Sequence, residues 1–165
     1  MKKQQLIFVG LISALIMVGI FIYQRYRVAP TLLLPEIQLS DLQGKSVKPE
    51  SGKPTLLIFF GTWCRDCRKE LPVLAKLEAD IKSKNIQVIL VSDEENTVLQ
   101  EFSSSIPLSF KLCKLEGSFK ENKIYTLPTS YLFCSNGSVF RKQTGAIDWT
   151  IELLSSFVDQ CQIAN

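Results

Sequence analysis

The sequence predicts an α/β domain built on a mixed sheet covered on both faces, preceded by one N-terminal transmembrane helix. Three observations carry this reading. Leu6 to Tyr23 is an uncharged, apolar run at the start of the chain. Thr55–Phe60 and Ile86–Ser92 are apolar on both faces, the pattern of central parallel strands. Segments of helical spacing alternate with these runs, giving the order strand, helix, strand, helix, strand, helix, hairpin, helix.

The elements follow in chain order. Met1 to Gln5 is a short basic start, and Leu6 to Tyr23 supplies 18 uncharged residues before Gln24-Arg25-Tyr26-Arg27 closes the run. That length suffices to cross a membrane. A cleaved signal peptide usually has a shorter apolar core. The nearest cleavage candidate, Val28-Ala29, has Arg27 before it and Pro30 after it, so an uncleaved signal anchor is favoured. Lys2 and Lys3 face Arg25 and Arg27 across the run, so charge gives only a slight bias toward an N-terminus held inside. The expected division is therefore 1–27 as cytoplasmic tip and anchor, 28–35 as linker and 36–165 as the folded domain.

Glu36 to Val47 reads as a hairpin around Asp41-Leu42-Gln43-Gly44-Lys45. After the strand Thr55–Phe60, a helix is expected from about Arg65 to Lys84, with Leu71, Leu74, Leu77 and Ile81 on one face. Pro72 lies inside it and should kink it. Asp93 to Asn96 is an acidic turn, Thr97 to Ser104 a short helix, and Leu108 to Cys113 an outer strand. Gly117 to Tyr125 is a short helix or turn anchored by Phe119 and Ile124. Thr129–Cys134 and Val139–Thr144 flank Ser135-Asn136-Gly137-Ser138, a strong hairpin signal. Asp148 is placed as N-cap of a last helix, Trp149 to Gln160.

Composition bounds the chemistry. The chain has 165 residues, enough for one domain plus an anchor, and its net charge of +3 gives no ground for a nucleic-acid partner. It has five cysteines and no histidine. Cys64 and Cys67 stand at C-x-x-C spacing where the buried strand gives way, after Gly61, to a helix. Free N–H groups and the helix dipole at such a junction favour a thiolate. Two intervening residues let Cys67 reach back and close a small ring, so the pair can cycle between dithiol and disulfide. C-x-x-C is also half of a zinc site, whose other ligands would have to come from Cys113, Cys134 and Cys161. A purely structural bridge is the other alternative, although closing so short a loop constrains little.

Trp63-Cys64-x-x-Cys67 after an apolar strand, with Leu127-Pro128-Thr129 far downstream, resembles the thioredoxin superfamily. Leu39 to Lys45, Gly52 to Phe60, Cys67-Arg68-Lys69-Glu70-Leu71-Pro72 and Asn136-Gly137 resemble the TlpA/ResA-type membrane-anchored disulfide reductases in particular. The resemblance spans Leu34 to Trp149. It implies a thioredoxin-like fold in which Cys64 attacks a substrate disulfide and Cys67 resolves the mixed disulfide. It implies a cis bond before Pro128, with Leu127 offering backbone to substrate and Trp63 beside the sulfurs. It also implies that Glu70 tunes the thiols or relays a proton, and that no cofactor is needed.

The expected partners are protein disulfides or thiols and a membrane thiol electron donor. The expected location is the bacterial inner membrane, single-pass, with the domain on the periplasmic or extracytoplasmic side, where disulfides persist. An oxidase of the same fold and a non-enzymatic binding module are the alternatives. Arg65 and Asp66 stand where many relatives carry a proline. Cys113 falls where relatives often carry an aspartate, and the pairing of Cys113, Cys134 and Cys161 stays open.

Overall fold

Thr55–Phe59 (β3) forms the middle of the sheet, and each of its five residues is buried. The computed structural model describes residues 2–105 and 109–163. Around β3 stand, in chain order, α1 (Lys2–Arg27), β1 (Leu39–Ser40), β2 (Ser46–Val47), α2 (Arg65–Lys76), α3 (Glu78–Ser83) and β4 (Gln87–Ser92). These are followed by α4 (Asn96–Ser105), β5 (Lys111–Leu115), β6 (Thr129–Phe133), β7 (Val139–Thr144) and α5 (Ile151–Ile163). Among the described residues the strands join in one sheet, in the order β2-β1-β5-β4-β3-β6-β7. β3, β4 and β5 run parallel, while β6 lies antiparallel to β3 in the register Phe59↔Thr129.

Alternation along the central strands sends side chains to two separate cores. Leu56, Ile58, Phe60, Val88 and Leu90 face one side, with Cys67, Leu71 and Leu74 of α2, Ile81 of α3, Leu99 and Phe102 of α4, and Leu154 and Phe157 of α5. Leu57, Phe59, Ile89, Val91, Cys113 and Tyr131 face the other side. No α-helix covers that second face among the described residues; Leu34, in a short 3-10 turn (Leu34–Glu36), packs against it. Ala29, Ile37, Phe119 and Ile124 close it, from the segment after α1 and the turn before β6. The segment after α1 is therefore seated against the sheet: Ala29 is buried, and the Tyr131 hydroxyl donates to Pro30 O at 2.8 Å.

Both expected hairpins form. Asp41 Oδ1 accepts from the amides of Gln43 and Lys45 and so closes the first turn. Gly137, at φ 83°, supplies the left-handed residue of the second, where Cys134 N–H donates to Ser138 O.

Three details differ from the sequence reading. The helix after the cysteines runs through Pro72 and breaks at Leu77, where Leu77 N–H closes a tighter turn onto Leu74 O. Proline at a helical φ removes one donor without forcing the axis to end there. β5 is an interior strand, because the β1–β2 hairpin pairs along its outer edge; Leu108, placed at its start, lies outside the described residues. The segment 117–125 takes the turn form, one of the two expected for it, and is tied down where Asp93 Oδ2 accepts from Phe119 N–H at 2.8 Å. α5 begins at Ile151, with Thr150 Oγ1 accepting from Leu153 N–H. Ile147 and Trp149 are drawn into the core before the helix opens, so Asp148 sits too early to cap it.

α1 projects from the domain, and its described side chains are exposed along its length. Its segment Ile7–Arg27 is long and apolar enough to cross a membrane.

Candidate active site

Cys64 is the N-cap of α2, at the end of the loop that leaves β3. Its own N–H donates to Gly61 O at 3.0 Å, and its Sγ accepts from Cys67 N–H at 3.2 Å. The sulfur thus takes the place of a capping oxygen and sits in the positive end of the helix. Cys64 and Cys67 are joined as a disulfide, with Cα atoms 5.3 Å apart. Both are largely covered: Cys64 keeps 6% of its surface and Cys67 1%. The sulfur at the helix start is the more accessible one, but by a small margin.

Trp63 is 70% exposed, so it is not a core tryptophan. Its ring folds back over Gly61, where a Cβ would stand 2.9 Å from Trp63 Cε2. Only glycine leaves that ring in place. The Leu127–Pro128 bond is cis. The β3–β6 register brings Pro128 alongside the end of β3, one residue beyond the Phe59↔Thr129 pair. Leu127 packs against the core that holds both cysteines and lines a groove shared with Trp63. Trp63, Cys64, Cys67, Leu127 and Pro128 are therefore gathered at one end of the sheet.

Glu70 lies one turn beyond Cys67 on the same buried face of α2 and is 4% exposed. Its Oε1 accepts from Trp149 Nε1 at 2.5 Å and from Ile147 N–H at 3.4 Å. Its Oε2 has no hydrogen-bond partner among the described residues. Removal from water raises its pKa to about 7, while the bonds from Trp149 and Ile147 pull the other way. Desolvation wins, and the result is a carboxyl poised to gain or lose a proton near neutrality.

Two groups were not singled out by the sequence. Trp149 belongs to this site as the donor to Glu70, although its spacing suggested a helix start. Glu94, in the acidic turn after β4, braces the active-site loop: Thr62 N–H and Thr62 Oγ1 each donate to its carboxylate at 2.7 Å. Ser92 Oγ donates to it as well, at 3.0 Å. Nothing in a Ser-Asp-Glu-Glu run marks which acid turns back toward a loop about 30 residues earlier.

The remaining cysteines are also resolved. Cys134, at the end of β6, is bridged to Cys161 in α5, and both are buried. Neither stands with Cys64 and Cys67 as a ligand set. Cys113 is a free thiol on the opposite face of the sheet, where burial pushes its pKa up to about 11.

Comparison with known proteins agrees with this geometry. The model of the AhpC/TSA family matches residues 29–140. Thiol-disulfide oxidoreductase ResA of Bacillus thuringiensis subsp. konkukian is 31% identical over 157 residues, covering 88% of this chain and 91% of that one. ResA of Bacillus cereus strain ZK / E33L is 30% identical, covering 97% and 98%. Among solved structures, StoA from Bacillus subtilis matches with a TM-score of 0.59 at 25% identity, over 76% of this chain and 98% of that one. A thiol:disulfide interchange protein DsbE from Chlorobium tepidum shares the fold, with a TM-score of 0.65 at 24% identity over 78% and 94%. The chain belongs to the AhpC/TSA family and is a thiol–disulfide oxidoreductase of the ResA type with a thioredoxin-like fold.

Proposed function

We propose that the protein is a membrane-anchored, extracytoplasmic reductase of protein disulfides. The observation that carries the direction is Glu70, buried one turn behind Cys67. An acid at that place opposes a thiolate on its neighbour once it ionises. A thiolate disfavoured at Cys67 holds the disulfide more firmly, and the dithiol form is then the better reductant. The buried Cys134–Cys161 bridge supports an oxidising compartment, and the apolar Ile7–Arg27 segment supports the anchor, with 28–35 as connection and 36–165 as domain.

The reaction follows from the arrangement. The Cys64 thiolate attacks a substrate disulfide; the S–S bond breaks, and one substrate sulfur leaves as a thiolate that takes a proton from solvent. Cys64 is now joined to the other substrate sulfur. The Cys67 thiol passes its proton to Glu70, and the resulting thiolate attacks Cys64 Sγ. The second substrate sulfur leaves, and the 64–67 disulfide remains. Two electrons have moved from the protein to the substrate. A membrane dithiol donor restores the reduced pair by the same exchange in reverse. Trp63, Leu127 and Pro128 form the rim against which an extended substrate segment lies.

The test is the reduction potential of the Cys64–Cys67 pair, equilibrated against glutathione or dithiothreitol. A reductase is expected near or below the thioredoxin value of about −270 mV. A value near the DsbA value of about −120 mV would make the protein an oxidase.

A further inference from the structure

We propose that the rim of the redox site rests on the lipid headgroup layer, through a groove that Trp63 shares with the end of α1. The inference deepens the anchored reading above and rests on it. The groove has a volume of about 520 Å³, and its lining includes Arg25, Tyr26, Trp63, Lys120, Tyr125 and Leu127. Two of these residues belong to the last turn of the apolar helix, and two flank the redox pair.

The helix end is fixed to this rim. Thr126 Oγ1 donates to Tyr26 O at 2.6 Å, and Thr144 Oγ1 donates to Arg27 O at 2.7 Å. Both acceptors are carbonyls that a helix C-terminus leaves without intrahelical partners. The Arg25 guanidinium lies over the Tyr125 ring, 4.5 Å from its centre, and the Tyr26 and Tyr125 rings meet edge to face. The anchor and the loop carrying Leu127 are thus held together.

The level of the groove follows. The span Ile7–Arg27 has 21 residues, and a helix of that length reaches about 31 Å, the thickness of a bilayer's hydrocarbon core. Its last turn then lies in the headgroup region, and the groove lies there with it. The composition fits that layer. Tyr23, Tyr26 and Trp63 are exposed aromatic rings of the kind that settle at a membrane interface. Arg25 and Lys120 suit anionic headgroups; Asp93, the one acid among the described lining residues, already accepts the Phe119 N–H. A 70% exposed tryptophan beside a reactive pair gains a covering there that water does not give. Substrate disulfides then reach Cys64 at the height of the headgroups.

The full chain, reconstituted in phosphatidylcholine–phosphatidylglycerol vesicles, tests this through its fluorescence. Trp149 is buried in the protein, so quenching by acyl chains brominated close to the glycerol reports Trp63. Emission should fall as the brominated fraction rises. Trp63→Phe should lose that dependence, and the double variant Thr126→Val, Thr144→Val should weaken it. Alkaline carbonate extraction keeps the two readings apart. Protein retained in the vesicles with flat emission would overturn the lipid contact alone and leave the groove to protein substrates. Protein released by carbonate would overturn the anchor and this inference together.

Discussion

Trp149 donates its indole N–H to Glu70 Oε1 at 2.5 Å, tying the entrance of α5 to the helix that carries the redox cysteines. The bond fixes the carboxyl behind Cys67 and favours its ionised form against the desolvation that raises its pKa to about 7.

Trp149→Phe keeps a ring in the core and removes the donor. The Glu70 titration should then move upward from about 7, because a bond to the carboxylate is lost while burial stays. Stability should fall by about 1–2 kcal/mol, the cost of leaving a buried acceptor short of a partner. Carboxyl chemical shifts of the oxidised protein across pH would check it; an unmoved or lowered titration contradicts the assignment.

Glu70→Gln separates the acid from its packing. A carboxyl whose folded pKa is raised binds a proton on folding. It therefore favours the native state at low pH and loses that contribution as pH rises from 4.5 to about 7. The permanently neutral variant should gain in Tm relative to the parent across that window and keep a constant lead above it. Loss of the proton acceptor should also slow resolution of a mixed disulfide, on the order of 10²-fold. Melting curves at several pH values and quenched-flow kinetics read the two effects.

The cysteines should differ in kind. Cys64→Ser should abolish exchange and capture nothing, because serine is a poor nucleophile at neutral pH. Cys67→Ser should accumulate mixed disulfides with clients, seen as bands that vanish on adding reductant. Capture by Cys64→Ser instead would reverse the roles of the two sulfurs.

The bridge from Cys134 to Cys161 closes a separation of 27 residues. Replacing both with alanine should cost roughly 3–4 kcal/mol on chain-entropy grounds. Exchange at Cys64 and Cys67 should persist below the lowered Tm. A thermal melt paired with an insulin-reduction assay would show stability and activity parting; joint loss well below the Tm would tie this bridge to the chemistry.

Removal of α1 should leave a folded, soluble enzyme only when the cut respects the second core. A chain beginning at Val28 keeps Ala29 in place and Pro30 O against Tyr131. One beginning at Ile37 uncovers that face and should lose on the order of 3 kcal/mol in apolar cover, together with the bonds from Tyr131 to Pro30 O and from Lys142 to Thr31 Oγ1. Denaturant midpoints of the two chains would compare them directly.

The sequence made the strand-to-helix junction at Cys64 legible because local signals there agree. The apolar run, the glycine, the C-x-x-C spacing and the helical period all point the same way, and the distant Pro128 matched a known pattern. The partners of Glu70 and Thr62 were not legible, since Trp149 and Glu94 reach them from 79 and 32 positions away. Such contacts depend on how the chain closes, and no period or spacing encodes them. The interior position of β5 was hidden for a related reason: a two-residue strand pairs along its edge, and so short a strand leaves almost no pattern. The Cys134–Cys161 bridge joins a strand end to a helix that packs over it, a relation of tertiary origin.

Cys113 and the four bridged cysteines occupy opposite sides of one sheet. An enzyme that trades disulfides risks scrambling its own. Here a hydrogen-bonded wall of strands separates the odd thiol from every bridge, and burial keeps that thiol protonated. The folded protein can cycle many times without drifting into a wrong covalent isomer. The exposure to error is confined to the nascent chain, before β4 and β5 pair. A Cys113→Ala chain should therefore refold from the fully reduced state with fewer misbridged species, while its finished form behaves as the parent does.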